Sequence, residues 1–303
     1  MNILLTGGTG LIGPVLIQKL EQHHHNIRIL RRSKSDKENE FYWNVAAKEI
    51  DDEAFENLDC IIHLAGTNIS ERWTDDYKKE LYSSRIDTAN FLFDCCKKKG
   101  IHLKSFISAS GINYYGTFTS DEILTEQSGI LRNDFLSKLC TEWENAADQF
   151  STISDRVVCL RTAAVLSRKG GVFSMLKKTV DLNLGSAVGT GRQWMNWIHI
   201  DDLVNLFLEA VEHSTFTGKY NAVADEIPTN KTFMKKLTQA SGKRSFPFNV
   251  PSFVMKSIFG EMSSIILEGT RADNKKIKSE GFDFKFSTID QAFDDLLKPS
   301  IFQ

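Results

Sequence analysis

The sequence predicts an α/β fold, a doubly wound parallel sheet followed by a smaller, mainly helical C-terminal lobe. Three observations predict it. The first thirteen residues read as an apolar run, a glycine cluster and the start of a helical pattern, in that order. Strand-like and helix-like segments then alternate through the first two thirds of the chain, as right-handed β–α–β crossovers require. From Pro228 onward the pattern is mainly helical.

Each element follows from its residues. Ile3–Thr6 is a strand, and Gly7, Gly8, Thr9, Gly10, Leu11, Ile12 and Gly13 continue from it as a tight turn and helix start. Glycine permits φ > 0 and close approach of a ligand to the backbone. The helix over Leu11–Gln22 offers free N–H groups and a positive dipole end to a pyrophosphate. Ile27–Leu30 is a second strand ending at Arg31 and Arg32, and Glu40–Asn44 is a short one. Asp59–Ala65 is a buried strand running into Gly66, and Asp75–Lys99 is one long helix. Leu103–Ser108 is a strand, followed by a loop rich in glycine and serine. Asp134–Gln149 is a helix and Arg156–Arg161 a strand. Beyond Leu166 come an apolar helix over Val172–Leu184, a glycine-rich loop over Gly185–Gly191 and an aromatic stretch, Trp194–His199. Asp201–His213 is helical, Lys219–Ala222 is the last strand, and Pro247 and Pro251 punctuate the tail. The expected division is 1–227, with cleft-lining insertions around 166–197, and a small unit over 228–303 that closes a cleft.

Composition bounds the function. With 303 residues, 41% hydrophobic and 25% charged, the chain can bury a sizeable core. A net charge of -2 gives no reason to expect nucleic acid or an anionic membrane as partner. No apolar run approaches the ~20 residues of a membrane span, and the first strand leaves no room for a signal peptide. The five cysteines form no C-x-x-C pair and read as reduced core residues of a cytoplasmic protein. His23, His24 and His25 diverge around a helix end, so they read as solvated rather than metal-binding.

The motifs fall in a telling order. Thr6-Gly7-Gly8-Thr9-Gly10-Leu11-Ile12-Gly13 fits T-G-x-x-G-x-x-G, and His63-Leu64-Ala65-Gly66 follows at a later strand. Ser108, Ser110 and Tyr114-Tyr115-Gly116 come next, then Ser137-Lys138 with Glu142, then Trp197-Ile198-His199-Ile200-Asp201-Asp202. This order resembles the extended and atypical short-chain dehydrogenase/reductase superfamily, whose fold is the Rossmann type and which includes nucleotide-sugar epimerases. Arg72-Trp73, Ser84-Arg85, Gly189-Thr190-Gly191-Arg192-Gln193, Gly260-Glu261-Met262 and Gly281-Phe282 narrow the likeness. Over nearly the whole chain they resemble the YfcH-type "epimerase family" group, with its C-terminal domain of unknown function (DUF1731-like).

The resemblance implies a nicotinamide cofactor, and the sequence selects between two. An NAD site places an acid about twenty residues past the glycine turn, on the ribose 2′-OH. Here Arg31 and Arg32 stand at that point, which suits a 2′-phosphate and predicts NADP(H). Two solvated arginines are the alternative. Leu64, Ala65 and Gly66 are expected to bring backbone close to the adenosine side. By the resemblance, Lys138 reaches the nicotinamide ribose.

The superfamily's Tyr-x-x-x-Lys catalyst is incomplete, because Asp134 occupies the tyrosine position. A free aspartate ionises at about pH 3.9, and an ionised carboxylate cannot donate a proton to a carbonyl; burial is what would restore that ability, and a helix cap is the other reading. Tyr114 or Tyr115 is the alternative proton donor, with Ser108 or Ser110 orienting the substrate oxygen. Arg161 is placed with the cofactor-binding residues and, like Arg192, could clamp an anionic substrate. Trp194 and Trp197 could stack on a ring or belong to the core, and His199, Asp201 and Asp202 read as a helix start positioning the cleft wall.

Two functions remain open at this point. One is an NADP(H)-dependent oxidoreductase or epimerase acting on a small polar substrate. The other is an NADP(H)-binding redox sensor or partner-binding protein with little catalysis. By analogy with the superfamily, the helices over Asp75–Lys99 and Asp134–Gln149 are where a homodimer would form.

Overall fold

The computed structural model describes residues 1–298; residues 299–303 of the expected C-terminal unit lie outside the described residues. In chain order, β1 (Asn2–Thr6) leads through α1 (Gly13–Gln22) and β2 (Asn26–Arg31) to a hairpin of β3 (Glu40–Asn44) and β4 (Glu49–Ile50), then to β5 (Cys60–His63). Helices α2 (Asp75–Tyr82) and α3 (Thr88–Lys98) flank a π-helical turn, Ser83–Asp87. Next come β6 (Ser105–Gly111), β7 (Ile123–Leu124), α4 (Phe135–Asp148), β8 (Val157–Thr162) and β9 (Ala164–Leu166). After these follow α5 (Gly171–Asp181), β10 (Trp197–His199), α6 (Ile200–Glu212) and β11 (Gly218–Ala222). The tail holds α7 (Asn230–Ala240), α8 (Ser252–Phe259), α9 (Ser263–Leu267), β12 (Arg271–Ala272), α10 (Lys275–Ser279) and α11 (Ile289–Leu296).

Eight strands form one sheet in the order β11-β8-β6-β5-β1-β2-β3-β4. Every neighbouring pair is parallel except β3 and β4. The order reverses between β1 and β5, so ligands are expected at the carboxyl ends of those two strands. Parallel strands covered on both faces carry near-continuous apolar runs rather than an apolar–polar alternation. Strand β1 is such a run. Ile3, Leu4 and Leu5 are all buried, with Ile3 and Leu5 facing α1 and α6 and Leu4 facing the layer of α3 and α4.

Four departures from the sequence reading have physical causes. Helix α1 begins at Gly13 rather than Leu11, with a proline in its first turn, because the preceding residues belong to the glycine turn. Strand β6 runs on to Gly111, paired with β8 as far as Thr162, so Ser110 stands on a strand and not on the loop expected after Ser108. The expected helix to Leu184 stops at Asp181, since Asn183 adopts φ 58°. The helix expected over Asp75–Lys99 is interrupted by the π turn. Its buried positions Leu81, Arg85, Thr88, Leu92 and Cys96 span more chain than four turns at about 3.6 residues per turn can hold, and the wider turn absorbs the excess.

Two small parallel pairings were not foreseen, β9 with β10 and β7 with β12. The second stitches the tail to the main sheet's loops. Phe233, Leu237, Ile289 and Phe293 of the tail pack with Leu166, Phe173 and Trp197 in a separate core. Asp202, fully buried at the start of α6, accepts hydrogen bonds from the backbone N–H of Lys285 (2.9 Å) and Phe286 (3.0 Å). Burial raises its pKa, and those two donors oppose the rise. All five cysteines are free thiols, four of them buried. His23 and His25 each lie 3.2 Å from one oxygen of Glu212, and no cluster able to hold a metal ion occurs among the described residues.

Candidate functional site

A groove of about 1300 Å³ opens at the carboxyl ends of β1, β2 and β5. Its floor is the turn Gly7–Gly10, closed by a bond from the Gly10 N–H to the Gly7 carbonyl at 3.0 Å. Gly7 has φ 72°, and a β-carbon there would stand 2.6 Å from the Leu64 carbonyl oxygen. Only glycine fits. A β-carbon on Gly13 would strike the Gly8 carbonyl, which fixes the first turn of α1 against the loop. That helix has neither a side-chain cap nor an acid in its first turn, so its positive end is left for the charge of a ligand. Leu11 and Ile12 are absent from the groove wall; Leu11 packs on Gly170 and Gly171, and Ile12 is the cap residue of α1.

The Thr6 hydroxyl oxygen accepts hydrogen bonds from the N–H groups of Leu64 (3.1 Å) and Ala65 (3.0 Å). This joins the glycine turn to the segment Leu64–Gly66, which lines the same groove. Arg31 and Arg32 also line it, but they differ. Arg31 is committed to Glu40 at 2.8 Å, whereas Arg32 is exposed and has no ion pair among the described residues. Lys48, in the β3–β4 turn with φ 55°, lines the groove too; nothing in the sequence marked it.

Behind Gly66 lies Arg85, delivered by the π turn. A β-carbon on Gly66 would meet its guanidinium carbon at 2.9 Å. Arg85 is buried, donates to the carbonyls of Thr67 (2.9 Å) and Leu81 (3.1 Å), and lies 5.1 Å from the Trp143 ring. It forms no ion pair among the described residues, and burial lowers its pKa. Arginine is almost never buried without a carboxylate, so this is an unbalanced positive charge. The sequence signal was an arginine four residues past Leu81 on the helix's apolar stripe.

At the ends of β6 and β8 the expected catalytic residues form a closed network. Arg161 binds Glu144 through Nε (2.8 Å) and Nη2 (2.9 Å), and its Nη1 donates to the Tyr115 hydroxyl at 3.0 Å. Tyr115 donates to Asn221 Oδ1 at 2.7 Å, and Ser110 donates to Glu144 at 2.8 Å. Tyr115 is fully buried, and burial pushes its phenol up to about 12. Ser108 is fully buried and donates to the Ala109 carbonyl at 2.8 Å. The structure thus places Tyr115, Ser108, Ser110 and Arg161 inside, each with a partner, rather than facing a substrate or cofactor. Tyr114 is half-buried over the Arg161 guanidinium, 3.5 Å from its ring centre, and its hydroxyl has no hydrogen-bond partner among the described residues.

Asp134 is a cap. Its side chain accepts from the Ser137 N–H and the Ser137 hydroxyl accepts from the Asp134 N–H, each at 3.0 Å, a reciprocal capping box. Lys138 follows on the exposed face of α4 with no ion pair among the described residues, outside the wall of the glycine-turn groove. His199 caps α6 through Nδ1, as the sequence suggested. Trp197 is core; Trp194 donates to Asp121 and stacks under Arg271, while Arg192 is exposed.

Comparison with known proteins agrees with this geometry. The profile of the NAD dependent epimerase/dehydratase family matches residues 3–223, and a domain of unknown function (DUF1731) matches residues 250–296. An epimerase family protein of Staphylococcus aureus is 33% identical over 299 residues, covering 97% of this chain and 98% of that one. The human epimerase family protein SDR39U1, whose crystal structure holds NADPH, superposes with a TM-score of 0.87 at 30% identity, covering 98% and 99% of the two chains. UDP-glucuronic acid 4-epimerase of Bacillus cereus shares the fold, with a TM-score of 0.78 at 19% identity over 98% of this chain and 99% of that one.

Proposed function

Because this chain belongs to the NAD dependent epimerase/dehydratase family, we propose that it is an NADP(H)-binding oxidoreductase or epimerase acting on a small polar substrate. The observation that carries the reading is the groove itself. An uncapped, acid-free helix start adjoins the glycine turn, and the β2 end offers Arg31 and Arg32 where an NAD site would place an acid. The NADPH in the human relative supports the same choice.

When bound, the nicotinamide supplies a hydride donor or acceptor. The protein's part is to bind and orient. Thr6 sets the Leu64–Gly66 wall, Arg32 would meet the 2′-phosphate, and Lys138, exposed in the first turn of α4, would take the part of the superfamily's ribose-binding lysine. Tyr114 is the remaining candidate to move a proton, since Tyr115 and both serines are committed elsewhere.

A second reading rests on one observation, the capping Asp134 at the place of the usual tyrosine. It makes the chain an NADP(H)-binding sensor or partner-binding protein. Calorimetric titration of the cofactor-stripped protein with NADPH and then NADH tests the first premise. Preference for NADPH supports it, and binding of neither overturns both readings. A screen of carbonyls and sugar nucleotides then separates them. Turnover that Tyr114→Phe abolishes favours the enzyme; NADPH binding without turnover of any of them favours the sensor.

A further inference from the structure

The overall charge of -2 conceals a strong local imbalance. Residues 227–260 carry six cations, Lys231, Lys235, Lys236, Lys243, Arg244 and Lys256, and no aspartate or glutamate. Only Lys236 is in an ion pair among the described residues, with Glu226 and Asp290. Two acids on flanking elements are already matched, Asp181 by Lys177 and Glu261 by Lys78.

The same segment exposes large apolar side chains. Phe248 and Phe253 are 71% and 73% exposed, and no residue of α8 is buried. Backbone bonds zip this segment along the glycine-rich loop. The Phe246 N–H donates to the Gly185 carbonyl and the Val250 N–H to the Ala187 carbonyl, each at 2.9 Å. Leu182 and Leu184, just before the loop's Gly185, are exposed as well, and the rings of Phe246 and Phe248 lie 6.0 Å apart. The segment and the loop it is zipped to thus carry exposed aromatic and aliphatic side chains together with five cations that form no ion pair among the described residues. Single exposed apolar residues are ordinary, but a contiguous group of this kind marks an interaction surface.

We propose that this face of the C-terminal lobe docks on an anionic phospholipid surface. The composition matches that of interfacial elements, in which aromatic and aliphatic side chains enter the headgroup boundary and Lys/Arg meet lipid phosphates. No helix among the described residues is long and apolar enough to cross a membrane, so the attachment is peripheral. A second copy fits less well: a twofold contact sets the same patch against itself and brings Lys243 and Arg244 toward their own counterparts. Nucleic acid would stack on Phe246, Phe248 and Phe253 but leave Leu182, Leu184 and Ile258 without a partner, so it fits less well than a lipid surface.

The test is co-flotation of the full chain with vesicles of phosphatidylcholine alone and of phosphatidylcholine mixed with phosphatidylglycerol. The expected result is binding to the mixed vesicles, about tenfold weaker or absent on the neutral ones, and falling as salt screens the contact. Phe248→Ser with Phe253→Ser, and separately Lys243→Glu with Arg244→Glu, are each expected to weaken it about tenfold. All four side chains are exposed, and unchanged NADPH binding by the variants shows that they fold. Equal binding to both vesicles, or binding to neither, overturns the proposal. So does a dimer in light scattering that the phenylalanine variant dissociates, which would assign the face to a second copy. Failure of wild-type NADPH binding would overturn the proposed function and leave this inference standing.

Discussion

Glu144 and Arg161 are joined by two parallel hydrogen bonds, 2.8 and 2.9 Å long, with side chains only 4% and 3% exposed. Burial works against the charge on Arg161, yet Glu144 more than compensates and its pKa is raised. The pair gathers Ser110, Tyr115 and Asn221 around the ends of β6, β8 and β11. Glu144→Gln leaves a buried guanidinium without its counter-charge. The expected loss is about 3–5 kcal/mol of unfolding free energy, read by urea denaturation. A loss under about 1 kcal/mol would mean the pair is solvated in solution.

Arg85 is the opposite case, a buried cation whose partners are two carbonyls and the Ser84 hydroxyl, with no carboxylate among them. Replacing it by methionine removes an uncompensated charge. The cofactor-free protein is expected to hold or gain stability, by up to about 2 kcal/mol, while NADPH affinity falls about tenfold or more because the groove loses positive potential. Thermal melts with and without NADPH measure both. Reduced stability with unchanged affinity would make Arg85 a purely structural donor.

Arg31 and Arg32 are expected to separate in the same assay. Arg32→Ala should lower NADPH affinity about tenfold to a hundredfold and leave NADH almost unchanged, as loss of a charge-assisted phosphate contact does. Arg31→Ala should cost less for NADPH, since Glu40 already holds that guanidinium. Equal losses for the two cofactors from Arg32→Ala would place the arginine away from the 2′-phosphate.

His63 sets an acid limit. It is fully buried, bonded to Thr88 at 2.9 Å and to the Trp143 indole at 3.4 Å, and burial lowers its pKa to about 3, with Arg85 adding to the effect. The unfolded chain protonates its histidine near pH 6.5, and the folded chain does not until about 3. This contribution to stability is present above pH 6.5 and is lost as pH falls toward 3, at about 1.4 kcal/mol per pH unit. Denaturation midpoints from pH 7 to 4 for wild type and His63→Asn check it. An identical acid slope in the two proteins would remove His63 as the cause.

Asp202 holds the tail by accepting two backbone N–H bonds. Asp202→Ala strands the Phe286 donor in the interior, at about 1–3 kcal/mol, and leaves the part-buried Lys285 N–H without its partner. Hydrogen exchange should rise first around Lys285 and Phe286. Exchange that rises uniformly across the sheet instead would show that the tail and the main core unfold as one unit.

The parallel sheet and its glycine turn were legible because apolar runs, glycines and crossovers are local signals. The partners were not. Glu144 reads in sequence as one more polar residue on a helix, and only packing brings it to Arg161. For the same reason Arg161 and Tyr115 looked available for chemistry, and Arg31 looked free of Glu40. Ser110 seemed to lie on a loop because the serines and Gly111 break the apolar run, although β8 extends its pairing. The π turn escaped notice because a single widened turn hardly changes helical periodicity. Asp134 was readable as a cap, since the residue three positions on is a serine able to return the bond.

The threonine at the end of the first strand has a consequence for how tightly any nucleotide can be held. With its hydroxyl oxygen accepting from both Leu64 and Ala65, two loops from strands far apart in sequence are already fastened together before a ligand arrives. The socket is preorganised, so the entropy of ordering it is charged to folding rather than to binding. A ligand of the wrong shape then meets a wall that does not re-form around it, and discrimination appears as a faster off-rate rather than as a change of conformation.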